Sequence, residues 1–209
     1  MLGYYNYTVI LTYLGLASSV FGIYASISFG KSGPIIGICC LMLSGFFDMF
    51  DGRVARTRKR TENEKKFGIQ LDSLSDLVCF GILPTIIGYS IGLRKWWYII
   101  FMILYSLCAL IRLAYFNVTE DERQSRTDEA RKYYEGLPVT TAAAIFPFIF
   151  CFREFLDYNV FRIVYAVAIA LTAICFISPF KIKKPGKTGL LTFLISGIIM
   201  LIIIILLNN

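Results

Sequence analysis

Seven stretches of mainly apolar residues, separated by short polar connections, divide the chain along most of its length. They lie at 6–28, 34–57, 68–92, 96–116, 138–152, 160–179 and 188–207. All but the fifth have the roughly 20 residues that a helix needs to cross a bilayer. The fifth is short and contains Pro147, so it either recruits residues 136–138 or crosses only in part. The pattern predicts an all-α fold: a single integral membrane domain over residues 1–209, with about seven transmembrane helices and a range of six to eight.

Basic residues are concentrated in alternate connections between these stretches. The loops 58–67, 117–137 and 180–187 hold most of them, whereas the intervening connections hold only Lys31, Arg94, Lys95 and Arg153. Because positively charged loops tend to remain on the cytoplasmic side, the pattern predicts a cytoplasmic N-terminus and an outer C-terminus. The protein is expected in the cell membrane.

Composition narrows the chemistry that the chain can perform. The formal charge is +7, from 21 Lys and Arg against 14 Asp and Glu, and histidine is absent. The missing histidine excludes Ser-His triads and histidine metal ligands. The excess positive charge fits membrane lipid with anionic headgroups better than nucleic acid, so no nucleic-acid partner is expected. The six cysteines lie in apolar stretches without a Cys-x-x-Cys pair, which indicates structural packing.

Four aspartates interrupt the second and third apolar stretches. Asp48 and Asp51 lie near the end of the second, and Asp72 and Asp76 lie near the start of the third, on either side of the basic loop. Their i,i+3 and i,i+4 spacings place each pair on one helix face. Two antiparallel helices would therefore aim all four carboxylates into one pocket near the cytoplasmic boundary. Ionisable groups inside a membrane cost roughly 2.5–3.5 kcal/mol each and usually mark functional sites.

Charge balance favours metal binding by these aspartates. Four bare carboxylates repel one another, and some would stay protonated. Two divalent cations, Mg²⁺ or Mn²⁺, would balance the charge, and oxygen ligands suit such hard ions. A two-metal site suits displacement at phosphorus, because the ions steady both the phosphoryl oxygens and the leaving oxygen. Gly52 leaves one flank bare for a substrate, and Arg56 offers a fork suited to phosphate.

Two other interpretations of the aspartates remain open. In the first, they only pair with Arg53, Arg56 and the loop lysines at a helix end. In the second, the protein is a divalent-ion carrier. A carrier would place carboxylates near the middle of the membrane, on broken helices or in repeated halves. Here they cluster toward one face, and the sequence contains no visible repeat.

The segment 48–76 resembles the signature of the CDP-alcohol phosphatidyltransferase family. That signature is Asp-x-x-Asp-Gly-x-x-Ala-Arg, a variable gap, and then Gly-x-x-x-Asp-x-x-x-Asp. Every fixed position is present: Asp48, Asp51, Gly52, Ala55, Arg56, Gly68, Asp72 and Asp76. The gap from Arg56 to Gly68 holds eleven residues, which is longer than usual and lies in a loop.

The resemblance implies a membrane-embedded transferase that uses a CDP-linked lipid and releases CMP. Carried over by position, the four aspartates hold two divalent cations that bridge the diphosphate. Asp76 is also the candidate catalytic base that takes the proton of the acceptor hydroxyl. Gly52, Ala55 and Arg56 would line the CDP-lipid site. A homodimer is expected on the resemblance alone.

A second resemblance concerns the acceptor alcohol. The segments 112–117 (Arg-Leu-Ala-Tyr-Phe-Asn), 135–138 (Glu-Gly-Leu-Pro) and 71–76 look like those of the phosphatidylserine synthase branch. In that branch the acceptor is L-serine and the lipid is CDP-diacylglycerol or its ether equivalent, CDP-archaeol. Arg112 is the candidate clamp for the serine carboxylate, with Asn117 or Tyr115 beside it. Alternatively, Arg112 only extends to the membrane interface.

Another acceptor class also remains open within the family. A phosphorylated alcohol, such as glycerol 3-phosphate or inositol phosphate, would need extra basic side chains near the pocket. The loop 58–67 could supply them. The sequence favours serine over this alternative.

Overall fold

A computed structural model describes residues 3–126, 133–183 and 186–207 of the chain. The elements in these ranges are α1 (Ile10–Ser28), α2 (Gly33–Ala55), α3 (Glu62–Asp76), α4 (Leu83–Ser90), α5 (Trp96–Arg126), β1 (Tyr133–Glu135), α6 (Ala142–Phe150), α7 (Tyr158–Ile177), β2 (Lys181–Lys183) and α8 (Lys187–Leu207). A π-helical turn, Leu77–Ile82, joins α3 to α4. Short 3₁₀ turns precede α1, α2 and α6 at Tyr7–Val9, Gly30–Ser32 and Val139–Thr141.

The prediction of an all-α polytopic membrane protein is confirmed. Five helical segments are long and apolar enough to cross a membrane: Tyr7–Ser28, Gly30–Ala55, Glu62–Ser90, Trp96–Arg123 and Tyr158–Ile177. Two shorter apolar helices, Val139–Phe150 and Leu191–Leu207, account for the fifth and seventh predicted stretches. The chain is therefore an integral membrane protein.

Two predicted loops are partly helical. The helix α3 begins at Glu62, because Thr61 and Glu64 form a reciprocal capping box that satisfies the backbone N–H of each. The helix α5 continues beyond 116 to Arg126, and Arg123 pairs with Glu120 one turn earlier at 2.7 Å. The rest of the predicted loop 117–137 includes residues 127–132, which lie outside the described residues, as does Lys184.

A short two-stranded ribbon is an addition to the predicted fold. The strands β1 and β2 pair antiparallel, with Tyr134 opposite Ile182. The backbone continues this attachment, since Gly136 N–H donates to Phe180 O at 2.7 Å and Leu137 N–H donates to Cys175 O at 3.0 Å. The segment 133–138 therefore ties the chain that follows α5 to the end of α7.

Small residues allow α1 and α2 to form a tight hairpin. A Cβ added at Gly22 would lie 2.7 Å from Cys40 Cβ, and one at Gly33 would lie 2.6 Å from Ala25 O. Ser19 and Ser44 share a buried hydrogen bond of 2.7 Å across the same contact. Close backbone approach through small residues is typical of helix pairs in membranes. This hairpin fixes the position of α2 and of the aspartates that it carries.

The rod formed by α3, the π turn and α4 is fastened by side chains of α5 and α7. Pro84 has no N–H, so the Phe80 carbonyl one turn earlier lacks its usual helical donor. Tyr105 O–H donates to that carbonyl at 2.7 Å, and Ser106 O–H donates to Gly81 O at 2.7 Å. Tyr165 O–H donates to Pro84 O at 2.9 Å. These bonds satisfy buried backbone groups where the helix is irregular, and they anchor the rod in the bundle.

Candidate active site

Three of the four aspartates converge on one point. Asp48 of α2 and both Asp72 and Asp76 of α3 place one carboxylate oxygen each within 4.8 Å of the others. Asp51 follows Asp48 by one helical turn on α2, and its side chain interacts with that of Asp72. The i,i+3 and i,i+4 spacings turn each pair to one helix face, as the sequence indicated. Two neighbouring helices thus build a single carboxylate cluster.

The cluster is half-buried, with Asp76 its most buried member, and no arginine or lysine among the described residues forms an ion pair with it. Asp76 is 9% exposed. The Arg53 guanidinium instead lies over the Phe50 ring, 5.7 Å from its centroid. Arg56 Nε–H donates to Gly52 O at 3.1 Å. Pairing with these two arginines therefore does not account for the aspartates.

The donor chemistry of this cluster fits divalent cations. Carboxylate oxygens are the ligands that Mg²⁺ and Mn²⁺ prefer. Several such oxygens lie close together, and burial away from water makes uncompensated negative charge costly. A cation of charge two would relieve that repulsion. The residues that could hold it are Asp48, Asp72 and Asp76, with Asp51 adjacent.

One flank of the cluster is open beside Gly52. A Cβ added to Gly52 would meet nothing within 4 Å, although the residue lies inside α2 and its φ is ordinary for a helix. Ala55, the last residue of α2, is half-buried, and Arg56, which follows it, is exposed. Of the three predicted CDP-lipid residues, Gly52 therefore borders open space next to Asp51.

The three residues predicted to bind the acceptor lie in different surroundings. Asn117 bonds to Ser73, the neighbour of Asp72, with Nδ2–H donating to Ser73 Oγ at 2.8 Å. Arg112 is 6% exposed, and its Nε–H donates to Leu137 O at 3.3 Å. Tyr115 is half-exposed, and its O–H donates to Glu135 Oε2 at 2.9 Å. Through Ser73, Asn117 contacts α3, the helix that carries Asp72 and Asp76.

The segment after β1 covers Arg112. Gly136 has a φ of +73°, and a Cβ there would lie 2.9 Å from Phe176 O and 3.5 Å from Arg112 Nε. The Arg112 guanidinium also lies over the Phe116 ring, 5.6 Å from its centroid. Burial of an arginine is costly unless its donors are used. Arg112 is therefore a buried cation held between α5 and the segment 133–138.

Two residues near the cluster carry no signal in the sequence pattern. Thr12 of α1 donates its hydroxyl hydrogen to Asp51 Oδ2 at 3.2 Å. Ser75, next to Asp76, donates to Thr12 O at 3.4 Å. Because 39 residues separate Thr12 from Asp51, only the folded hairpin of α1 and α2 reveals the contact.

The chain is similar to a known protein family and to several characterised proteins. The model of the CDP-alcohol phosphatidyltransferase family matches residues 5–176, which include the four aspartates and Arg112. The CDP-diacylglycerol–serine O-phosphatidyltransferase of Saccharomyces cerevisiae is 40% identical over 122 residues, covering 57% of this chain and 43% of the relative. The archaetidylserine synthase of Methanothermobacter thermautotrophicus is 37% identical over 123 residues, covering 57% and 48% respectively.

A bacterial relative has a similar degree of identity. The CDP-diacylglycerol–serine O-phosphatidyltransferase of Helicobacter pylori is 34% identical over 136 residues, covering 62% of this chain and 52% of the relative. The aligned segments amount to about half the length of these curated relatives, from 43% to 52%. The family match spans most of the chain, whereas the relatives match about half of their own length.

Proposed function

The chain belongs to the CDP-alcohol phosphatidyltransferase family, and on that premise we propose that it transfers a lipid phosphate group from a CDP-linked lipid to L-serine. CMP is the leaving group, and the product is a phosphatidylserine or its archaetidyl counterpart. The observation that carries the proposal is the convergence of Asp48, Asp72 and Asp76 within the family motif. The names of the relatives support serine as the acceptor.

The carboxylate cluster holds the reactive phosphate in this proposal. When bound, two divalent cations would supply charge compensation for the diphosphate and for the departing CMP. Asp48, Asp51, Asp72 and Asp76 are the residues that would hold them. The open flank at Gly52 and Ala55 admits the cytidine diphosphate, and the Arg56 guanidinium supplies a donor fork for its phosphate oxygens.

Asp76 takes the proton in the proposed reaction. The serine hydroxyl oxygen forms a bond to the lipid-side phosphorus while the bond from that phosphorus to the CMP oxygen breaks. The hydroxyl proton passes to the Asp76 carboxylate. Asp76 is the most deeply placed aspartate of the motif and ends α3 just before the π turn, and irregular turns of this kind are frequent at functional sites.

Acceptor binding is assigned to Arg112, with Asn117 and Tyr115 beside it. A serine carboxylate needs a cation, and Arg112 is a buried one, 6% exposed. Asn117 is hydrogen-bonded to Ser73, the residue after Asp72 on α3, which supports a role for α5 beside the proposed reaction site. Tyr115 is hydrogen-bonded to Glu135 of the segment 133–138. In the proposal, these two side chains recognise the polar groups of the acceptor.

A product assay tests the proposal. The full chain in detergent is given Mn²⁺ or Mg²⁺ and CDP-diacylglycerol or CDP-archaeol, with L-serine, glycerol 3-phosphate or inositol phosphate in parallel. We expect CMP release with serine, one serine-containing lipid per CMP, and loss of both on chelation. Asp76→Asn should lower the rate about 100-fold or more, since a positioned base contributes this much.

The other outcomes separate the rival interpretations. Transfer to glycerol 3-phosphate or inositol phosphate in place of serine would establish the phosphorylated-alcohol acceptor. Metal flux into vesicles without nucleotide release would establish a divalent-ion carrier. The cell-membrane location, the cytoplasmic orientation of the site and the homodimer remain predictions.

A further inference from the structure

A single residue of α1 touches both helices that carry the aspartates. The Thr12 hydroxyl donates to Asp51 Oδ2 of α2 at 3.2 Å. The Thr12 backbone carbonyl accepts from Ser75 Oγ of α3 at 3.4 Å. Thr12 and Ser75 are 9% and 5% exposed, and the contact between them is buried, whereas the contact with Asp51 is partly buried. Thr12 therefore lies where α1, α2 and α3 meet.

The contact has a consequence for the carboxylate cluster. Asp51 lies at the edge of the group, beside Asp72 and outside the set of three whose oxygens lie within 4.8 Å of one another. Because the four carboxylates carry like charges, repulsion tends to move the Asp51 carboxylate away from the other three. A hydroxyl that donates to Oδ2 opposes that movement and fixes the orientation of the carboxylate plane.

We propose that Thr12 is a positioning residue that orients Asp51 for divalent-cation binding. The inference rests on the proposed metal-dependent function. Hydrogen-bond partners of metal ligands commonly change metal affinity by about 10–100-fold. Thr12 acts through its hydroxyl, whereas its carbonyl holds α3 in place through Ser75. Replacing the hydroxyl alone therefore separates the effect on Asp51 from the packing of the helices.

Direct binding of Mn²⁺ to the purified full chain tests the proposal without measuring turnover. Free Mn²⁺ is followed by electron paramagnetic resonance as the protein is titrated. Thr12→Val keeps the shape of the side chain and removes the donor, and we expect its Mn²⁺ affinity to fall about 10-fold. Thr12→Ser keeps the donor and should remain within about twofold of the unsubstituted chain. Thr172→Val, at a buried threonine of α7 away from the cluster, is the matched control and should titrate normally.

A double-substitution cycle tests whether Thr12 works through Asp51. In an Asp51→Asn background, Thr12→Val should cause no further loss of Mn²⁺ affinity, because the oriented carboxylate is already gone. Additive losses would mean that Thr12 affects the cluster through packing. Normal affinity in Thr12→Val, equal weakening in Thr12→Ser and Thr12→Val, or no binding by the unsubstituted chain would each overturn the inference.

The Mn²⁺-binding test of Thr12 and the CMP-release test of the proposed reaction can fail independently. If CMP is released but Thr12→Val binds Mn²⁺ normally, only the role of Thr12 fails. If Mn²⁺ binding depends on the Thr12 hydroxyl but serine yields no CMP, the positioning role stands and the proposed reaction fails.

Discussion

At Gly52 the chain leaves room beside the aspartates that nothing in the described residues fills. Its φ is ordinary for a helix, and a Cβ would meet no atom within 4 Å. The fold therefore does not require glycine here. Alanine is favoured over glycine inside helices by about 0.5–1 kcal/mol. If the CDP-lipid occupies this space when it binds, an added methyl group would weaken substrate binding without destabilising the fold.

Gly52→Ala should consequently separate stability from activity. We expect the variant to unfold at the same or a higher temperature and to require a higher CDP-lipid concentration for half-maximal CMP release, by about tenfold, which corresponds to about 1.4 kcal/mol of lost binding. Thermal unfolding in detergent and substrate titration measure the two effects. Gly33→Ala is the matched control, since its Cβ would lie 2.6 Å from Ala25 O and should destabilise the fold. Unchanged titration in Gly52→Ala would show that the substrate does not use this space.

Residue types and spacings predict part of the site. The motif spacing correctly indicated that the aspartates of α2 and α3 would converge, because helical periodicity fixes which residues share a face. The contact between Thr12 and Asp51 was not predictable, because no local rule relates residues 39 positions apart. The pairing of Asn117 with Ser73 depends equally on how α5 packs against α3. The roles assigned to these residues in binding and catalysis remain predictions.

At the scale of elements, the irregular centre of the third span depends on its neighbours. Pro84 leaves the Phe80 carbonyl without a helical donor, and Tyr105 supplies one at 2.7 Å. The Tyr105 ring is fully buried and packs edge-on against Phe146 with centroids 5.8 Å apart. One residue of α5 thus satisfies the backbone of the rod and contributes to the core.

Tyr105→Phe should destabilise the protein by about 1–3 kcal/mol, because it leaves a buried carbonyl without its donor while preserving the ring. Thermal unfolding of the purified chain in detergent is the measurement. Tyr13→Phe, at a partly exposed tyrosine of α1 for which the described residues provide no hydroxyl partner, is the control and should unfold like the unsubstituted chain. If both variants had equal stability, the Phe80 carbonyl would not depend on Tyr105.

Hydropathy predicts the existence of elements better than their limits. The apolar stretches locate the helices because burial in lipid requires apolar side chains over a fixed length. The residues 117–126 are polar, so hydropathy predicts a loop there, although the Glu120–Arg123 pair is suited to the helix that the structure contains. The ribbon of β1 and β2 has three residues in each strand, too few for an alternating pattern to be recognised. Hydropathy also misses the first turns of α3, which begin at the capping box of Thr61 and Glu64.

For the whole molecule, the order of the helices and the positions of the basic residues together predict which side of the membrane each connection faces. The four aspartates flank the connection 56–61, which carries Arg58, Lys59 and Arg60. The connection between α4 and α5, at the opposite end of the third span, carries only Arg94 and Lys95. Because basic connections favour the cytoplasm, we propose that the carboxylate cluster opens toward the cytoplasm, where CMP would be released, and that residues 1–209 act as one domain.

Labelling of single introduced cysteines in intact cells tests this orientation. Arg94→Cys and Glu154→Cys should react with a charged maleimide that does not cross membranes, because both connections are predicted to lie outside. Lys59→Cys should react only after the membrane is permeabilised, since its connection is predicted to lie in the cytoplasm. The unsubstituted chain sets the background, and its six free cysteines lie at buried or half-buried positions. Labelling of Lys59→Cys in intact cells, with Arg94→Cys protected, would place the aspartates on the outer side of the membrane. That result would contradict the proposed orientation, in which the site uses CDP-lipid from the cytoplasmic side.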